Sequence, residues 1–154
     1  MPQKWGFLIY CATDKALRHG YPEIRKQNRM LQKQNRLKKM KDIDILMKEG
    51  RFVGGNLANA KVWWVDPSKY PRRKYKKEDI LIGFAVGKKV HKGAVKRNRI
   101  KRQMREVVRL LLKENKIKPG AMVLLIAKGN IVGKSYGEIE KSIVSTLKNA
   151  RLLM

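Results

Sequence analysis

The chain has 154 residues, with 38 Lys and Arg against 12 Asp and Glu, a formal charge of +26. Apolar residues at 43% suffice for one packed core and exclude a wholly disordered chain. Charge on that scale self-repels unless a polyanion cancels it, so nucleic acid is the first partner to consider and an acidic membrane surface the second.

The longest unbroken apolar run, Ala121 to Ala127, falls far short of the roughly 20 residues that span a bilayer, so no membrane is expected. A single cysteine, Cys11, excludes an internal disulfide framework and fits a reducing, cytoplasmic setting. Near the start, "WGFLIYCA" faintly resembles a signal-peptide core, but no small-residue cleavage pattern follows and charge returns at Asp14. Residues 1–29 show no clear periodicity, and Met30 would itself make a chain start. They are read as an N-terminal extension, either disordered or upstream of the true start, with the domain over 30–154.

"RLKKMKDIDILMKEG", Arg36 to Gly50, predicts a short helix: Leu37, Met40, Ile43 or Asp44, and Met47 recur at helical spacing, and Gly50 stops it. Val62 to Val65 predict a strand closed by Asp66-Pro67, with one of Trp63 and Trp64 facing inward. A Pro-containing basic loop, "PSKYPRRKYKKED", leads to a second strand over Ile80 to Val90. There Ile82, Phe84 and Val86 share one side and the small Gly83, Ala85 and Gly87 the other, a face that admits close approach. His91 reads as a turn residue.

A helix from about Ala94 to Asn115 gives the clearest signal. Ile100, Met104, Val107, Val108 and Leu111 fall on one face, and Asn98, Arg102, Arg105 and Arg109 on the opposite one, with Lys101 at its edge. Lys96, Arg97 and Arg99 crowd the first turn after Lys88, Lys89 and Lys92. Cations are unfavourable where the helix dipole already presents free N–H groups, so this concentration suits a polyanion that both would meet. The plain alternative is a solvated charged face, but acids for intrahelical pairs are scarce, only Glu106 and Glu114.

"KPG" then breaks the chain, Ala121 to Ala127 make a buried strand, and a last helix begins at Ser135 and Glu138, which have capping-box spacing. Its stripe is Ile139, Ile143 and Leu147. The order is αββαβα, an α/β two-layer sandwich. No His/Cys cluster has metal-ligand spacing, "GFAVGKK" lacks the P-loop pattern, and Asp42 and Asp44 read as helix-face charges that at most help to hold Mg²⁺ around RNA.

"AVKRNRIKRQMRE", with Arg97-Asn98-Arg99 at its centre, closely resembles the signature of the protein subunit of bacterial ribonuclease P. "RLKKMKDIDILMKEG", "IGFAVGKKV" and "MVLLIAKG" resemble that family in the same order, over about residues 34–152. The resemblance implies a sandwich like the second domain of ribosomal protein S5, with a left-handed βαβ crossover against the usual preference. It implies a non-catalytic subunit of an endoribonuclease: a catalytic RNA removes the 5′ leader of precursor tRNA with Mg²⁺ bound mainly by that RNA, and no catalytic or metal-binding residue lies in the protein. It implies a monomer, one per RNA. The RNA-contact role falls on Lys88, Lys89, Lys92, Lys96, Arg97, Asn98, Arg99, Lys101, Arg102, Arg105 and Arg109. A leader cleft would be lined by Ile43, Met47, Trp63, Val65 and Ala85, each of which has a plain core reading as well. The family often has Phe where this chain has Ile43 and Met47, so Trp63 is the expected stacking ring. The rivals are a structural RNA-binding protein, such as a ribosomal protein, and a protein-only metal nuclease, which needs clustered acids.

Overall fold

A computed structural model describes residues 31–154, and the expectations for residues 1–29 lie outside it. The elements are α1 (Met40–Glu49), β1 (Arg51–Val53), β2 (Ala58–Trp64), β3 (Ile80–Ala85), α2 (Ala94–Lys113), β4 (Ala121–Ala127) and α3 (Tyr136–Asn149). One four-stranded sheet runs β1-β2-β4-β3; β3 and β4 are parallel, the other pairs antiparallel. The expected order αββαβα thus gains a strand. Arg51–Val53 is too short for alternation to reveal, and it follows Gly50, where a helix stop was the only visible signal. β3 ends at Ala85, so the segment expected to remain strand as far as Val90 is a turn that leads into α2.

β4 is buried along nearly its whole length because both sheet faces are covered. On the first face α2 and α3 pack through Ile100, Met104, Val107, Val108, Leu111, Ile139, Ile143 and Leu147, the stripes read from the sequence. Burial of each such side chain stabilises by roughly 1.5–3 kcal/mol. α3 starts in a complete capping box between Ser135 and Glu138. Its buried hydroxyls then bind the chain entering β2: Ser142 Oγ accepts from Leu57 N at 2.9 Å and Thr146 Oγ1 donates to Ala58 O at 3.2 Å.

The second face carries a smaller core of Leu37, Ile45, Leu46, Trp63, Met122 and Leu124. Here α1 departs from expectation. Its buried residues are Asp42, Ile45 and Leu46, while Met40 and Met47 are exposed. The apolar spacing of Met40, Ile43 and Met47 is real, but it marks the flank of the helix. A buried carboxylate occupies the inner face, where periodicity looks for an apolar residue. β3 turns its small residues to this side. A Cβ on Gly83 would lie 3.2 Å from Leu37 Cβ and 3.1 Å from Leu124 Cδ1, so the close approach expected of that face is made by the segment before α1. That segment also bridges to the outer edge of β3, where Leu37 N donates to Ile82 O at 3.1 Å.

Gly83→Val is expected to destabilise the protein by about 1–3 kcal/mol, the usual penalty for overpacking. Gly87→Val, next to open space, should cost much less. Urea denaturation of the two variants measures the difference.

Candidate nucleic-acid interface

α2 opens at Gly93 with no side-chain cap and no acid in its first turn. The turn before it is built by His91, whose Nδ1 accepts from Gly93 N at 2.8 Å and whose carbonyl accepts from Arg97 Nη1 at 3.4 Å. His91 is thus the turn residue expected, and it uses one cation of the cluster to hold the turn. Lys88, Lys89, Lys92, Lys96, Asn98 and Arg99 are exposed around the free amide groups, and Arg102 and Arg105 continue outward along the helix. Arg97 and Lys101 are half-buried at the flank. Such a surface combines oriented N–H donors with forked and point cations, and both bind phosphate oxygens well.

Arg109 stands on the same stripe but is engaged. Its guanidinium grips Glu106 through two bonds, Nε at 2.9 Å and Nη2 at 2.5 Å. The hydrogen bond from Arg109 holds the Glu106 carboxyl below its usual range. Among the RNA-contact candidates, Arg109 is the one whose charge an acid of this chain already balances.

On the other sheet face, α1 covers only part of the strands. Ile43, Val65 and Ala85 are half-buried beside the small core, and Met47 is 47% exposed. Trp63 lies on this face but is only 7% exposed, between the rings of Tyr70 and Tyr75 at 5.8 and 5.9 Å, both edge-on. It is a core residue in this structure, and Trp64, 48% exposed, points to the opposite side. The ring open on the cleft face belongs to Phe52, 58% exposed, which pairs with Lys61 across β1 and β2. Lys61 Nζ donates to Met47 O at 2.6 Å and ties the end of α1 to this part of the sheet. Phe52 was missed because it sits on the unforeseen strand; the one available signal was an isolated aromatic right after a helix stop.

Two pairs fix α1 to the loop between β2 and β3. Asp42 accepts from Tyr75 Oη at 2.5 Å and Arg73 Nη1 at 3.3 Å, and Glu49 accepts from Tyr70 Oη at 2.6 Å and Lys69 Nζ at 2.9 Å. Asp42 is therefore a structural carboxylate and not a helix-face charge; Asp44 is exposed as expected. Burial first, and the bond to Asp42 second, push the Tyr75 phenol well above its ordinary value. The bond to Glu49, then burial, raises Tyr70, while the bonds from Tyr70 and Lys69 lower Glu49. A lowered carboxyl contributes stability above its unfolded pKa and loses it as pH falls, so the Glu49 pair contributes at neutral pH and is lost in acid. Among the described residues no three His, Cys, Asp or Glu side chains converge as a metal-binding group, and no helix is long and apolar enough to cross a membrane.

The fold and this surface define a small basic α/β sandwich with an uncompensated cationic helix start. The sequence profile of the Ribonuclease P family matches residues 31–151, and the chain belongs to that family. The ribonuclease P protein component of Alkaliphilus metalliredigens is 32% identical over 123 residues, 80% of this chain and 99% of that one. That of a Synechococcus species is 40% identical over 73 residues, 47% of this chain and about half, 53%, of that one. The ribonuclease P protein of Staphylococcus aureus shares the fold, with a TM-score of 0.64 at 23% identity over 78% of this chain and 98% of the other.

Arg109→Ala should lower the stability of the free protein by up to about 1 kcal/mol, the range for a well-formed, partly exposed pair. Arg105→Ala should leave it unchanged or slightly higher. Thermal denaturation in low salt compares them.

Proposed function

We propose that the chain is the protein subunit of a ribonuclease P ribonucleoprotein that removes the 5′ leader from precursor tRNA. The carrying observation is the start of α2: a helix N-terminus without cap or acid, ringed by exposed cations. That arrangement is unfavourable for a free protein and favourable against RNA phosphates. The catalytic RNA is assigned to this surface, through Lys88, Lys89, Lys92, Lys96, Arg97, Asn98, Arg99, Lys101, Arg102 and Arg105, with Arg109 supporting the helix by its pair to Glu106. The leader is assigned to the cleft between α1 and the sheet, against Ile43, Met47, Val65 and Ala85, with Phe52 as the stacking ring and Trp63 beneath as core.

On the family resemblance carried by Arg97-Asn98-Arg99, Mg²⁺ and the hydrolytic step are assigned to the RNA. The chain's own contribution is to bind phosphates, orient the leader and bring substrate and RNA together. The same reading makes it a cytoplasmic protein, one copy per RNA, whose domain begins at Met30. It gives the β3–α2–β4 crossover the left hand and the domain the S5-like arrangement.

The test is cleavage of precursor tRNA with and without the catalytic RNA. Cleavage at low Mg²⁺ that needs both components supports the reading. Activity of the protein alone points to a protein nuclease, and binding without any effect on cleavage points to a structural RNA-binding protein. Arg102→Ala and Arg105→Ala should each weaken binding to the catalytic RNA and flatten the slope of log affinity against log salt by roughly 0.7–0.9. Unchanged slopes would remove the outer face of α2 from the interface.

A further inference from the structure

The loop between β2 and β3 carries a second concentration of charge. Six of the nine residues from Lys69 to Lys77 are Lys or Arg. Lys69 is used by Glu49 and Arg73 by Asp42. Arg72, Lys74, Lys76 and Lys77 are exposed, and among the described residues none of them forms an ion pair. Of the loop's acids, Asp66 accepts from Ser68 N, Asp79 from the backbone N of Lys76, and Glu78 is exposed without an ion pair among the described residues.

This segment is also stiffened. Tyr70 and Tyr75 fasten it to α1 on either side of the turn Pro71–Arg73, and both rings lean on Trp63. Lys74, between them, adopts a left-handed backbone at φ 55°. Cations held on a pinned loop lose less freedom on binding than cations on a loose one.

Its place in the fold selects the occupant. Tyr70 and Tyr75 pack on the sheet face that carries α1, whereas α2 packs on the other face. The loop enters β3 at Ile80 and α2 follows the opposite end of that strand, about 17 Å further on at the usual rise per residue. RNA bound at the start of α2 is thus at the far end of the strand and behind the sheet, while a strand of RNA in the cleft beside α1 is already on the loop's side.

We propose that the exposed cations Arg72, Lys74, Lys76 and Lys77 form a second phosphate-binding surface that takes the backbone of the leader beyond the part held in the cleft. This rests on the leader reading given above. It adds a length-dependent contact that ignores base identity, because phosphate contacts carry no sequence information.

The experiment uses the reconstituted ribonucleoprotein and precursor tRNAs whose leaders lengthen in steps. The variant combines Arg72→Ala, Lys74→Ala, Lys76→Ala and Lys77→Ala; a control changes the three lysines to Arg. The wild type should gain affinity as the leader lengthens. The alanine variant should match it on the shortest leader and fall behind by about tenfold or more on long ones at low salt, with a salt slope shallower by roughly 0.7 per lost contact. The arginine control should keep the gain. Equal losses on every leader, or none on any, overturn the proposal. A loss of affinity for the catalytic RNA itself overturns it as well and assigns the loop to that RNA. If the wild type shows no difference between precursor and mature tRNA, the leader reading fails, and that failure is visible without any variant.

Discussion

Asp42 sits on the inner face of α1 in its first turn, 5% exposed, accepting hydrogen bonds from Tyr75 and Arg73 of the loop between β2 and β3. A carboxylate removed from water needs such partners, and removing one of them leaves a charge whose desolvation is uncompensated. The position of α1 follows from that requirement. With Glu49 bound to Tyr70 at the other end, the helix is tied to a loop, and Trp63 is held between the two tyrosines. Between these ties Ile45 and Leu46 of α1 pack on Trp63, Met122 and Leu124, and Lys61 reaches the Met47 carbonyl near the end of the helix.

The two faces of the sheet divide the work. α2 and α3 close the first with branched aliphatic side chains and Met104, and this core carries most of the apolar burial. It lets the outer side of α2 hold repelling cations, since the inward stripe fixes the helix whatever its outer side does. The second face is small, polar at its anchor and open beyond it.

Much of this was legible in the sequence, for identifiable reasons. α2, β4 and α3 follow a strong period or an unbroken apolar run, and all three lie where the pattern puts them, with Ser135 and Glu138 marking the start of α3. The exposed cations of α2 were legible because charge and the period of 3.6 together place Arg102 and Arg105 outward. The second face was not. Asp42 breaks the apolar period on the buried face of α1, and its partners Arg73 and Tyr75 are more than thirty residues away, beyond any local pattern. Strand alternation required one of Trp63 and Trp64 to face inward without choosing between them, and it could not show that two tyrosines from a loop would cover Trp63. Phe52 depended on a three-residue strand whose pairing with β2 only the tertiary structure supplies.

Both margins of the sheet are blunted. β1 offers an outer edge only three residues long, and the outer edge of β3 is partly occupied by the residues just before α1, through Arg36 and Leu37. An unpaired strand margin is a template on which another chain can add itself. Short and covered margins leave little backbone for such growth. Geometry as well as charge thus opposes such growth, and the geometric safeguard does not depend on the cations.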